Sequence, residues 1–94
     1  MNEVYAKLAD LAARYGAQRL VLYGSRARGD FQPRSDIDLA VYGMPETQRG
    51  GFAMEAEELP TLLKLDIVHV SSNMEPAFLE NIEKDGVVLY AAEN

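Results

Sequence analysis

The stretch GSRARGDFQPRSDID, residues 24–38, joins two kinds of chemistry within fifteen residues. Asp36 and Asp38 are separated by one residue, and Gly24 and Ser25 stand ten intervening residues upstream. On a strand, side chains at i and i+2 point the same way, with Cα atoms about 6.5–7 Å apart. Two carboxylates that close repel, and one of their pKa values rises unless a cation lies between them. Mg²⁺ prefers oxygen ligands and commonly takes one or two carboxylates together with substrate phosphates. The pair therefore reads as a Mg²⁺ clamp, although an isolated D-x-D is more often a solvent-facing strand surface.

The Gly-Ser pair changes that balance. Gly24 closes the apolar run RLVLY, and a residue without Cβ lets backbone N–H groups approach an anion. Ser25 opens the next turn, where its hydroxyl and the unpaired N–H groups of a helix start can hold phosphate oxygens. At residue frequencies of roughly 5–7% each, a chance match at four such positions is on the order of 10⁻³. The combined reading is a nucleoside triphosphate tail at Gly24 and Ser25, with its metal ions on Asp36 and Asp38. Transfer by two metals also needs a third carboxylate to activate the attacking hydroxyl. Asp66, inside the apolar run LKLDIVHV, is the candidate.

These residues need elements to hold them. Val4, Leu8, Leu11 and Ala12 recur at helical spacing, which predicts a helix over 3–15 ended by Gly16. A buried strand is expected over 19–23, then one helical turn or a tight loop in SRARG. Pro33 keeps a helix from reaching Ser35. DIDLAVY, residues 36–42, alternates as a strand, with Ile37, Leu39 and Val41 opposite Asp36, Asp38 and Ala40. Pro45 and Gly50-Gly51 predict a loop over 43–51, followed by a short helical stretch, FAMEAEEL, ended by Pro60. A strand over 63–70, a helix over 75–84 with Phe78, Leu79 and Ile82 as its stripe, and a strand over 87–90 complete the order. The fold class expected is α/β (α+β): one small mixed sheet with helices on one face, forming a single domain over 1–94.

The remaining candidates take plainer readings. His69 alternates onto the face opposite Asp66, Tyr23 reads as core, and Met44, Met54 and Met74 read as gap-fillers or loop residues. Arg26 and Arg34 read as solvated surface. The net charge of −6 is uneven, +1 over residues 1–45 and −7 over 46–94. An acidic chain argues against direct nucleic-acid binding, while the local arginines suit a small anionic ligand. The acidic half could meet a basic partner as readily as solvent. With no cysteine there is neither a disulfide nor a thiolate metal site. No apolar run has the length of a membrane span or a signal segment, so a cytoplasmic location is expected.

The order GS, ten residues, DID, then a lone aspartate in an apolar strand resembles the DNA polymerase β-like nucleotidyltransferases. It resembles most closely the minimal, stand-alone members called MNT. The likeness runs through the leading helix, YGSRARGD, SDIDLAV, LDIV and NIEKDGVVLY. It implies the polymerase β-like fold, triphosphate contact by Gly24 and Ser25, and support from Arg28. It also implies two Mg²⁺ ions on Asp36 and Asp38, with Asp66 lowering the acceptor hydroxyl's pKa or taking its proton. The reaction implied is attack of a hydroxyl on the α-phosphate of ATP with release of pyrophosphate. Minimal members are similar to one half of a pair whose other half is a small helical HEPN protein. The resemblance thus implies an antitoxin that places AMP on a tyrosine of a HEPN ribonuclease toxin. Two other readings stand beside it: a small-molecule acceptor such as an aminoglycoside, held by a helical partner, and neutralisation of the partner by binding alone. Self-association or a heteromeric complex fits a nucleotide face this open.

Overall fold

The structure, a computed structural model, describes residues 2–93. In chain order it contains α1 (Asn2–Arg14), β1 (Arg19–Tyr23), α2 (Ser25–Arg28), β2 (Ile37–Tyr42), α3 (Glu46–Glu57), β3 (Leu65–His69), α4 (Pro76–Asp85) and β4 (Val87–Ala91). The strands form one sheet in the order β3-β2-β1-β4. β1 pairs antiparallel with both β2 and β4, whereas β2 and β3 run parallel and are joined through α3. The mixed sheet expected from the sequence is the one formed.

Alternation along the central strands sorts their side chains to two faces. Leu20, Leu22, Ile37, Leu39 and Val41 join Val4, Leu8, Leu11 and Ala12 of α1 and Phe52 and Ala56 of α3 in the main core. Full burial of a side chain such as Phe52 contributes about 1.5–3 kcal/mol. On the opposite face Val21 and Ala40 pack against Ile82, with Tyr23, Tyr42, Val70 and Phe78 around them. Helices therefore lie on both faces: α4 covers part of the face that the sequence reading left bare beside Asp36 and Asp38. Ala40, expected on the polar side, is buried there because Ile82 needs a small partner.

One element differs in kind from expectation. Residues 46–51, read as loop, are the first half of α3. The Gly50-Gly51 pair costs helix propensity, but tertiary packing outweighs it. A Cβ on Gly51 would lie 2.7 Å from the Tyr15 ring, so the missing side chain lets α3 close onto the end of α1. Phe52, next in sequence, then meets Tyr15 edge-on with ring centroids 6.4 Å apart. Among the described residues, no helix is long and apolar enough to cross a membrane.

Candidate active site

β1 ends at Tyr23, and the chain must turn at once to enter α2. Gly24 makes the turn with φ 74° and ψ −155°, a conformation that favours glycine. Its carbonyl accepts the N–H groups of Ala27 and Arg28, closing the single turn of α2. Ser25 is half-buried, and no side chain caps this helix start. The first N–H groups of such a turn have no partner within it.

The closest neighbour of Gly24 is Asp38. A Cβ built at Gly24 would collide with Asp38 Oδ2 and lie 3.3 Å from its Cγ. The Gly24 turn and the carboxylate are thus packed directly together, which their separation of fourteen positions in the sequence does not reveal.

Pairing places Asp38 in a row across the sheet. Tyr23 of β1 is its register partner on one side, and Asp66 of β3 is its partner on the other. Adjacent strands lie about 4.8 Å apart, so Asp38 and Asp66 project side by side from one face. Asp36 precedes β2, outside the strand expected to contain it, and is exposed. Asp66 is also exposed. Among the described residues, no lysine or arginine pairs with any of these three carboxylates.

The electrostatics follow from this row. Burial raises the Asp38 pKa above its ordinary value, and the charges of Asp66 and then Asp36 raise it further, while Arg28 opposes them. Burial likewise pushes the Tyr23 hydroxyl up to about 12, with Asp38 and Asp66 adding to the effect. Asp38 is therefore a carboxylate under like-charge stress that a cation would relieve. Among the described residues, no three Asp, Glu or His side chains are gathered tightly enough to hold a metal ion unaided. Mg²⁺ seldom uses an all-protein cage, since it retains waters and recruits substrate phosphates. A hard-oxygen donor set with unneutralised charge fits that ion.

The arginines divide sharply. Arg28 reaches Asp30 at 3.1 Å and Asp85 of α4 at 3.8 Å, and its charge still acts on Asp38. Arg34 is exposed, as expected. Arg26 corrects the reading of a solvated side chain, because it is only 8% exposed. Its Nε donates to the Ser35 carbonyl at 3.0 Å and its Nη2 to the Pro33 carbonyl at 3.3 Å. The sequence carries no local signal for this, since the partner carbonyls come from a loop folded back over α2.

Tyr23 is the other residue whose setting was missed. It is half-buried rather than core, stacked edge-on against Phe78 at 5.8 Å and level with Asp38. Odd-even alternation along RLVLY, which sets Tyr23 apart from Leu20 and Leu22, is the signal that could have found it. His69 lies in register with Val41 on the strand position expected to face away from Asp66. Its Nδ1 is buried without a hydrogen-bond partner, and burial, with the Arg49 charge, lowers its pKa.

The Polymerase beta, Nucleotidyltransferase family model matches residues 6–94, and the chain belongs to that family. No curated protein is a detectable sequence relative. Among solved structures, a toxin–antitoxin complex with AMP-PNP is similar at 22% identity and a TM-score of 0.72, over 95% of this chain and 74% of that one. The Shewanella oneidensis structure of a tri-AMPylated HEPN toxin with its MNT antitoxin is similar at 18% identity and a TM-score of 0.67, over 98% and 74%. A candidate minimal nucleotidyltransferase shares 27% identity at a TM-score of 0.67, over 92% of this chain and 89% of that one.

Proposed function

We propose that this nucleotidyltransferase moves AMP from ATP to a hydroxyl, with a tyrosine of a helical HEPN-type toxin as the acceptor, and so acts as the toxin's antitoxin. The observation that carries the reading is the contact between the Gly24 turn and the Asp38 carboxylate, with Asp66 beside it in register. A phosphate-holding turn and two carboxylates on one sheet face suit a single metal-bound nucleotide. Similar structures that contain AMP-PNP or an AMPylated HEPN toxin support the choice of nucleotide and partner.

In this reading Gly24 and Ser25 hold the triphosphate through backbone N–H groups and the Ser25 hydroxyl, and Arg28 adds positive charge at its edge. Asp36, Asp38 and Asp66 are the carboxylates that would hold Mg²⁺. When bound, the ion supplies charge neutralisation at the phosphates and a lowered pKa for the acceptor hydroxyl. Asp66, exposed on the edge strand β3, would accept the proton that the tyrosine hydroxyl gives up. The tyrosine oxygen then bonds to the α-phosphorus as the bond to the pyrophosphate oxygen breaks. No group on the chain need become covalently modified.

The test is incubation of the protein with α-labelled ATP, Mg²⁺ and the helical protein encoded beside its gene. Label on a partner tyrosine, lost when Mg²⁺ is chelated, is the expected result. Label on a small-molecule hydroxyl instead would move the acceptor and remove the antitoxin reading. Neutralisation of the partner with no label anywhere would leave only a binding antitoxin.

A further inference from the structure

We infer that Arg26 is a positioning residue that fixes Asp36 at the entrance to β2, with Phe31 as its cover; this rests on the site reading above. Asp36 lies outside the β-ladder, so its placement depends on what holds its neighbours. On its C-terminal side, the Ile37 N–H donates to the Lys64 carbonyl at 2.9 Å and ties the chain to the segment preceding β3. On its N-terminal side the restraint is Ser35. The Ser35 N–H donates to the Gln32 carbonyl at 3.0 Å, and the Gln32 N–H donates back to Ser35 Oγ at 2.9 Å. The Ser35 carbonyl takes the Arg26 Nε–H.

Arg26 is the one link in this set that crosses from α2 to the loop. A single planar guanidinium reaches two carbonyls, Pro33 and Ser35, with directions fixed by its fork geometry. Its carbon stem is held in turn by α2, which starts at the Gly24–Asp38 contact. The two carboxylates of the D-x-D pair are thus referred to one short helix by different routes: Asp38 through Gly24, and Asp36 through Arg26.

Phe31 completes the arrangement. Its ring stands over the guanidinium at 4.6 Å, within cation–π range, yet the side chain is 44% exposed. An exposed phenylalanine in a polar loop has little reason to be there for its own burial. Over Arg26 it keeps water from competing for the two carbonyls.

A lysine at position 26 keeps the charge but offers one point donor where the loop needs a fork. Loss of an outer support of this kind weakens metal binding by about 10–100-fold. The experiment measures binding of Mn²⁺ together with a non-hydrolysable ATP analogue by electron spin resonance, on the whole chain, well below each variant's melting temperature. Wild type, Asp36→Asn, Arg26→Lys and Phe31→Ala are compared. Asp36→Asn and Arg26→Lys are each expected to weaken Mn²⁺ by about tenfold or more. Phe31→Ala should weaken it by about threefold, the size of one cation–π contact.

Wild-type affinity in folded Arg26→Lys and in Phe31→Ala, with Asp36→Asn impaired, overturns the inference and leaves the site reading standing. If Arg26→Lys does not fold, Phe31→Ala alone decides. Equal affinity for wild type and Asp36→Asn overturns the site reading itself, and the role of Arg26 with it.

Discussion

On one face of the sheet, Leu20, Leu22, Leu39 and Val41 meet α1 and α3 through apolar contacts alone. On the other, Tyr23, Asp38 and Asp66 form a row whose neighbours on that face are the few apolar side chains gathered around Ile82 of α4. The first face is apolar apart from His69 at its β3 edge, whose Nδ1 has no hydrogen-bond partner. The second carries like charges side by side and a carboxylate pushed above its usual range. A 94-residue chain has a modest core, so it can hold this stress only because the opposite face supplies the folding energy. The same β2 strand serves both purposes, one on its odd residues and one on its even ones.

Substitutions on the two faces should therefore separate activity from stability. The largest effect expected is from Asp38→Asn: nucleotidyl transfer falls by about 10²–10³-fold, as removal of a group that stabilises developing charge does. Its melting temperature should nonetheless equal or exceed that of wild type. The sign follows from linkage, because a carboxyl whose folded pKa is raised stabilises the fold below its ordinary value and loses that contribution as pH rises through the folded one. At neutral pH the asparagine removes repulsion and no useful bond. Phe52→Ala should do the reverse, costing about 3–5 kcal/mol of stability by denaturant melts. Activity per folded molecule should then be close to wild type.

Gly24→Ala tests the seam between the faces. Its Cβ would strike the Asp38 carboxylate in a backbone conformation unfavourable to alanine. Misplacement of a reacting group by about 1 Å costs about 10²-fold in rate, and that is the loss expected in steady-state kinetics. The smallest effect concerns His69 on the core side. Its folded pKa lies below the ordinary 6.5, so the unfolded chain takes up the proton first. Stability should fall as pH drops below about 6.5, and His69→Gln should flatten that slope in melts across pH 5–8.

Much of this division is legible in the sequence. The stripe Val4, Leu8, Leu11, Ala12 is the buried face of α1, and RLVLY is β1 to the residue. Gly24, Asp38 and Asp66 come together because strand alternation, pairing and a short turn leave them little choice. What local pattern could not supply are facts of tertiary approach. Gly50 and Gly51 look like a loop until Tyr15 needs the space. Arg26 looks solvated until the 30–35 loop folds its carbonyls onto the guanidinium. The exposure of Asp66 is likewise a tertiary fact: β3 is an edge strand, and α4 covers Val21 and Ala40 further into the sheet.

The most direct test of the account takes wild type and Asp38→Asn side by side, measuring label transfer from ATP to the helical partner and melting temperature on the same samples. The account predicts transfer by wild type, loss of it in Asp38→Asn, and a variant at least as stable as its parent. Undiminished transfer by Asp38→Asn, or loss of transfer explained by a fall in melting temperature, would contradict it.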